Sequence, residues 1–180
     1  GEDDFPLDAD EDTDTDGDGT GDNADSDDDG DGISDSDEIA DGTDPLDPDS
    51  DNDGVDDGQE KTDNTVGTDA CDYKAANQDS SKVSDAWKAL DCDSDGITNG
   101  QELTDGSDPK NSDSDSDGVD DGQEKTDGTD PNLADSDGDG VDDGQEKTDG
   151  TVGTGSCDYN AANQDSSKVS DAWKALDCDS

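Results

Sequence analysis

A twelve-residue acidic unit, D-x-D-x-D-G-x-x-[DN]-x-x-[ED], limits what this chain can become more than any other feature. It begins at Asp14, Asp27, Asp49, Asp91, Asp113 and Asp135, and a seventh copy opens at Asp177 and stops at Ser180. The starts lie 13, 22, 42, 22, 22 and 42 residues apart, so the long steps are a 22-residue unit carrying a 20-residue insertion. A longer period overlies the short one. Residues 49–94 recur as 135–180 with five differences in 46 positions: Asn52/Gly138, Asn64/Gly150, Asp69/Gly155, Ala70/Ser156 and Lys74/Asn160. Fixed columns separate this pattern from accidental acidity. Of seven Glu, five (Glu38, Glu60, Glu102, Glu124 and Glu146) fall at position twelve of a unit, and Gly19, Gly32, Gly54, Gly96, Gly118 and Gly140 all hold position six. The chain is an array of repeats and not a domain with tails.

Such an array cannot rest on a hydrophobic core. Leu, Ile, Val and Phe supply 17 of 180 residues, while Asp and Glu number 59 against nine Lys, a net charge of −50. That combination leaves too little apolar surface to offset the entropy of ordering, so another ingredient must replace the core. The same numbers exclude partners. The negative field opposes nucleic acid and anionic lipid, the absence of His removes the commonest general base, and no apolar run is long enough to cross a bilayer. Residue 1 is Gly, so any targeting segment is expected to have been removed or to lie upstream.

The twelve-residue unit matches the calcium-loop signature D-x-[DN]-x-[DN]-G-x5-E. A hard divalent cation takes six to eight oxygens, which carboxylates at every second position supply when the backbone curls round one point. The spacing predicts ligands at positions 1, 3, 5, 7 (through the backbone carbonyl), 9 and 12. These are Asp14, Asp16, Asp18, Thr20, Asp22 and Asp25; Asp27, Asp29, Asp31, Ile33, Asp35 and Glu38; and Asp49, Asp51, Asp53, Val55, Asp57 and Glu60. In the second half they are Asp91, Asp93, Asp95, Ile97, Asn99 and Glu102; Asp113, Asp115, Asp117, Val119, Asp121 and Glu124; and Asp135, Asp137, Asp139, Val141, Asp143 and Glu146. Asp177 and Asp179 open the seventh unit. The loop at Asp14 departs from the pattern, with Thr20 at position seven and the shorter Asp25 closing it, and Asn99 leaves the loop at Asp91 one charge weaker. One ion per complete loop would offset only 12 of the 50 net negative charges. Extra ions between loops, or a heavily solvated surface, must deal with the rest. Asp44, Asp130, Asp8, Asp10 and Asp12 are candidate extra ligands, with turn formation or a soluble coil as the alternative.

The long flanking helices of an EF-hand are missing, because Gly128 and Pro131 end any helix soon after Glu124. The apolar helices of a dockerin and the glycine-doublet nonapeptides of a calcium-binding β-helix are also absent. The stretch Asp113-Ser-Asp-Ser-Asp-Gly-Val-Asp-Asp-Gly-Gln-Glu124, with its trailing Gly128-Thr-Asp-Pro131, resembles the thrombospondin type 3 repeat in its bacterial and archaeal cell-surface form. The trailing motif recurs at Gly42–Pro45 and, varied, at Gly106–Pro109. The resemblance implies a chain with little regular secondary structure wrapped round a string of calcium ions, of the kind that surface proteins use as stalks, spacers or matrix parts. The expected fold class is therefore mostly irregular: a calcium-stabilised repeat array with very short helices and two disulfide-bracketed helical inserts.

Each insertion is bracketed by cysteines, Cys71 with Cys92 and Cys157 with Cys178. Their even number and repeated spacing predict two local disulfides, each closing about 20 residues and contributing about 3 kcal/mol on the chain-entropy account. Inside, Val83, Trp87 and Leu90 stand at i, i+4 and i+7, as do Val169, Trp173 and Leu176, which predicts a short helix capped by Asp79, Ser80 or Ser81. The stripe reads as a small local core, or alternatively as an adhesive face. The chain thus divides into an acidic segment (1–13), calcium-loop repeats (14–70), an insert (71–92), further repeats (91–156), a second insert (157–178) and an incomplete repeat (177–180).

These features point to a secreted or surface-exposed calcium-dependent structural module of a stalk, adhesin arm or fibre, not an enzyme. No nucleic acid partner and no membrane insertion are expected. The rivals are a calcium-regulated binding module whose inserts recognise a protein or glycan, and a disordered acidic protein acting on mineral. The incomplete loop at Asp177 further predicts continuation into more of the same array, either along a longer polypeptide or by self-association, with Glu2, Asp3, Asp4 and Asp8 of a neighbour completing the site.

Overall fold

The computed structural model describes residues 4, 5, 13–176 and 178. The expectations placed on Glu2, Asp3, Asp8, Asp10, Asp12, Asp177 and Asp179 lie outside these residues. Among the described residues there are six short α-helices and no strand. They are α1 (Asp35–Asp41), α2 (Asp57–Asp63), α3 (Asp85–Lys88), α4 (Asn99–Asp105), α5 (Asp121–Asp127) and α6 (Asp143–Asp149), followed by a 3-10 turn at Trp173–Ala175. The chain forms two compact units, Gly1–Trp87 and Lys88–Ser180, so the boundary falls inside the first insert.

Five repeats share one plan, an acidic turn followed by a seven-residue helix from position 9 to position 15. The turn requires two left-handed residues. Position 6 is always Gly, with φ between 88° at Gly54 and 101° at Gly96. Position 4 is left-handed too, but it is filled by Gly17, Gly30, Asn52 (φ 62°), Ser94 (67°), Ser116 (66°) and Gly138. Each seven-residue helix ends on another left-handed residue, Gly42, Asn64, Gly106, Gly128 or Gly150, whose N–H bonds the carbonyl of the position-12 glutamate. The repeat at Asp14 makes only a turn at residues 22–24 where its helix would start. The Gly-Thr-Asp-Pro segments then turn the chain onward. Asp44 accepts from the N–H of Leu46 (3.2 Å) and Asp130 from that of Asn132 (3.1 Å), which gives both the turn-forming role.

Within each unit, successive repeats dock by backbone. The N–H of Gly58 donates to Asp31 Oδ2 (2.6 Å), that of Gly122 to Asp95 Oδ2 (2.8 Å) and that of Gly144 to Asp117 Oδ2 (2.7 Å). The approach is so close that a Cβ on any of these glycines would strike the carbonyl of the same aspartate. Lysines at position 13 add ion pairs across the joint: Lys61–Asp41 (3.0 Å), Lys125–Asp105 (2.9 Å) and Lys147–Asp127 (3.0 Å). With the lysines well exposed, these pairs are screened by water and contribute little.

The first insert builds the one apolar cluster of buried residues found among the described residues: Val55, Tyr73, Val83 and Trp87. Tyr73 and Trp87 meet edge to face at 5.9 Å, and Trp87 Nε1 donates to the carbonyl of Ala70 (2.8 Å). Trp173 repeats this with Tyr159 (5.6 Å) and the carbonyl of Ser156. The predicted helical stripe is corrected here. The insert helix is a single turn in the first copy and a 3-10 turn in the second, and Leu90 and Leu176 are exposed. Its start is also displaced. Ser84 Oγ, not Asp79, Ser80 or Ser81, accepts the Trp87 N–H (3.0 Å), because Asp79 is held in a turn of its own by the N–H of Ser81 (2.9 Å). So short a helix has no stability by itself and depends on the packing of its tryptophan. Cys157 and Cys178 are joined, and Cys71 and Cys92 are likewise disulfide-bonded.

A left-handed serine costs about 1–2 kcal/mol of backbone strain that glycine avoids, at some entropic expense. Ser116→Gly should therefore stabilise the protein by about 0.5–1 kcal/mol. Gly118→Ala, two residues on in open space with φ 99°, should destabilise it by about 1–2 kcal/mol. Denaturant melts of the two variants in saturating calcium check both signs.

Candidate metal centre

The carboxylates at positions 1, 3 and 5 divide their oxygens between two tasks. One set pins the turn. Asp49 accepts from the N–H groups of Asp53 (3.1 Å) and Gly54 (3.0 Å), Asp51 from that of Asp53 (3.2 Å), and Asp53 from that of Val55 (2.9 Å). The loops at Asp113 and Asp135 repeat these bonds, and the loops at Asp14, Asp27 and Asp91 repeat part of the set. The other oxygens converge. Ligand atoms of Asp14, Asp16 and Asp18 lie within 4.8 Å of one another, as do those of Asp27, Asp29 and Asp31, of Asp49, Asp51 and Asp53, and of Asp91, Asp93 and Asp95. Position 7 contributes the N–H that orients position 5, from Thr20, Ile33, Val55, Ile97, Val119 and Val141. The side chains of Ile33, Val55, Val119 and Val141 are buried beneath the turn.

Position 12 carries the clearest signal. Glu38, Glu60, Glu102, Glu124 and Glu146 have no exposed surface, and no well-formed hydrogen bond reaches either oxygen of any of them. The second oxygen of the position-3 aspartate, in Asp29, Asp51, Asp93, Asp115 and Asp137, is buried without a partner in the same five repeats. Desolvation foremost, and then repulsion from the aspartates at positions 3 and 5, pushes the carboxyls of Glu60, Glu102, Glu124 and Glu146 up to about 8. Glu38 rises to about 7 for the same reasons. The hydroxyls of Thr65, Thr129 and Thr151 pull the other way on Glu60, Glu124 and Glu146, but more weakly. Burial likewise raises Asp29, Asp51, Asp93, Asp115 and Asp137 to about 6. Buried acceptors with no donors need a cation or protons. An oxygen-only, strongly anionic set of this kind fits a hard divalent ion such as calcium.

Position 9 behaves differently from the expectation of a ligand to its own loop alone. Asp57 is buried, is bonded by the Ser50 N–H (3.3 Å), and gathers with Asp31 and Glu38 of the preceding repeat within 4.8 Å. Asp121 takes both the N–H (2.8 Å) and the hydroxyl (2.7 Å) of Ser114, and Asp143 takes the N–H of Ser136 (3.2 Å). Asp22 and Asp35 are held in the same way from Thr15 and Asp28. The exception explains Asn99. At position 2 of its loop stands Cys92, a disulfide cysteine with no hydroxyl to offer, and Asn99 receives the Cys92 N–H (3.1 Å) while its own Nδ2 points at Cys92 Sγ (3.1 Å). Asp25, the short closing residue of the first loop, turns an oxygen to the N–H groups of Ser26 (2.6 Å) and Asp27 (3.2 Å), unlike the unpartnered glutamates.

Sequence reasoning missed the left-handed column at position 4, the serine-to-aspartate bond from position 2 to position 9, and the docking glycine at position 10. Each had a signal in the aligned repeats. Position 4 holds only Gly, Asn or Ser, position 2 is Ser or Thr in four of six repeats, and position 10 is Gly in four of six.

The direction of the glutamate shifts fixes a pH dependence for the metal-free chain. A folded-state pKa above the unfolded value of 4.5 means that the compact form binds protons more tightly. Its stability is then fully present below about pH 4.5 and is lost as pH rises through 6 to 8. With chelator present, small-angle scattering should show the chain expanding across that window. A radius of gyration constant from pH 4 to pH 9 would contradict this.

The family model of the bacterial TSP3 repeat matches residues 27–48, 91–112, 113–134 and 135–151. Each match starts on the first aspartate of a loop, and the first three span the 22-residue unit in full. No curated protein and no solved structure matches the chain. Residues 49–60, outside the matched segments, build the same turn, the same buried glutamate and the same helix as residues 135–146. The matched segments are bacterial TSP3 repeats, which are calcium-binding structural repeats, and the recurring loop geometry extends the likeness to residues 49–60.

Proposed function

We propose that this chain is an extracellular structural protein, part of a stalk, adhesin arm or fibre, whose fold is assembled on bound calcium. The observation that carries the reading is the set of five buried position-12 glutamates, each beside aspartates that repel it and with no well-formed hydrogen bond to either oxygen. In this reading positions 1, 3, 5, 7 and 12 of each loop hold one calcium ion. A cation among Asp31, Glu38 and Asp57 would tie one repeat to the next. Calcium supplies there the positive charge that lets the carboxylates stay ionised and buried, and the turn backbone keeps their oxygens converged. Disulfide-bonded cysteines and a need for abundant calcium both favour the outside of the cell. No helix among the described residues is long and apolar enough to cross a membrane. Self-association or continuation into a longer array would extend the structure in the role of a spacer. The burial of Trp87 in the insert core supports a structural use of the inserts over a recognition face built on that side chain.

Chelation should swell the chain towards the radius of gyration of an unfolded 180-residue polypeptide, about 45 Å, and added calcium should reverse it. Small-angle scattering reads this directly, and an unchanged radius would reject calcium-coupled folding. Glu124→Gln should lower the calcium stoichiometry by about one ion in isothermal titration at sub-millimolar calcium, since it removes the closing carboxylate of a single loop.

A further inference from the structure

Two of the loops differ from the rest in a way that neither the calcium signature nor the family match assigns. In the loops at Asp49 and Asp135 the inserts bind three consecutive backbone carbonyls of the turn. Ser84 N–H donates to the carbonyl of Asn52 (3.1 Å), Gln78 Nε2 to that of Asp53 (2.7 Å) and Asp79 N–H to that of Gly54 (2.8 Å). The second copy repeats all three: Ser170 N–H to Gly138 (2.8 Å), Gln164 Nε2 to Asp139 (2.6 Å) and Asp165 N–H to Gly140 (2.6 Å). Lys82 and Lys168 close the same edge on Asp56 (3.1 Å) and Asp142 (2.9 Å). Burial follows the contacts. Gly54 and Gly140 are buried, whereas their counterparts Gly32, Gly96 and Gly118 are exposed. A Cβ on Gly54 would meet the Asp79 carbonyl and Val83, while one on Gly118 meets nothing.

Rotation of the peptide planes between positions 4 and 6 would let the carboxylates part and so ease the release of a cation from such a loop. In the loops at Asp27, Asp91 and Asp113 the position-6 glycine is exposed, and the position-5 carbonyl lies against the docking glycine of the next repeat without the hydrogen bonds that an insert supplies. In the covered loops the rotation must break hydrogen bonds that the insert supplies. The bracing also orders the turn before an ion arrives, which lowers the ordering cost of binding. We propose that the inserts are braces, with Gln78 and Gln164 as positioning residues, that make the loops at Asp49 and Asp135 the slow-releasing cation sites, one in each compact unit, while the uncovered loops exchange faster. This rests on the reading of the loops as calcium sites and adds a division of labour among them.

The test uses the full chain loaded with terbium(III), a hard ion that takes the same oxygen ligands. Both tryptophans of the protein lie in the inserts, and Trp87 packs on Val55 of a braced loop, so tryptophan-sensitised emission reports on ions beside the inserts. Stopped-flow mixing with excess chelator would follow that emission together with total terbium release, read by a coloured chelator. The double variant Glu60→Gln/Glu146→Gln assigns the sensitised slow phase to the braced loops by removing it. The expected result is a sensitised phase roughly tenfold slower than bulk release, which Gln78→Ala/Gln164→Ala speeds roughly three- to tenfold without changing the number of ions bound. If sensitised and bulk release coincide in the unmodified chain, the brace is refuted while the calcium reading stands. If no ion binds at all, both are refuted. The comparison within the unmodified chain decides the matter even if the glutamine variant fails to fold.

Discussion

Five of the loops force together carboxylates that repel one another, around a closing glutamate that water does not reach. Glu60 is buried against Asp51 and Asp53, Glu124 against Asp115 and Asp117, and Glu146 against Asp137 and Asp139. A globular protein would bury apolar side chains at such points, and its core would become more stable as it closed. Here closure raises the electrostatic cost, which a bound cation would offset. That cost gives the bacterial TSP3 repeats matched here a physical reason to bind calcium.

The backbone bears the task of holding repelling groups close. Two left-handed residues per turn bend the chain sharply, and the N–H groups so exposed bond both oxygens of the position-1 aspartate and one oxygen each at positions 3 and 5. Those bonds orient the carboxylates, whose ligand atoms gather within 4.8 Å of one another. The seven-residue helix then serves as a short lever. In α2, α5 and α6 its first turn carries the docking glycine that bonds the previous repeat, and in all five its second turn carries the buried glutamate. Docked repeats thus complete one another, which is the logic of an array whose members cannot bury enough alone.

The inserts add a second kind of stability to this ionic framework. They bring a Trp and a Tyr to bear on one loop in each compact unit, joined in the first by a small apolar cluster round Val55. The five differences between the two copies show what that packing tolerates. Asn52 and Asn64 are replaced by Gly138 and Gly150, and all four residues are left-handed, so the backbone is kept while the side chain is dispensable. The Trp87 and Trp173 indoles donate to the carbonyls of Ala70 and Ser156, which also differ in sequence, because a backbone acceptor survives a change of side chain. At the two remaining positions the first copy makes side-chain contacts that the second lacks: Asp69 accepts the N–H of Cys71 (3.2 Å), which Gly155 cannot do, and Lys74 pairs with Asp63 (3.2 Å), an ion pair closed to Asn160.

The amino-acid sequence alone determined the repeat length, the positions of the loops, the carboxylates that converge in them and the irregular, short-helix character of the fold. These follow from local chemistry: spacing along one turn of chain decides which oxygens can meet, and Gly and Pro decide where a helix stops. Tertiary structure decided the rest. Asp57 belongs as much to the preceding repeat as to its own, because the docking of Gly58 on Asp31 carries it there. Asn99 stands in place of Asp because the facing residue is a disulfide cysteine and not a serine. The insert helix is one turn long and starts after Ser84, while Asp79, one of the three expected caps, is held against Gly54 some 25 residues earlier in the chain. Periodicity describes one face of an isolated segment, and it carries no information about a distant backbone that competes for the same hydrogen-bonding groups.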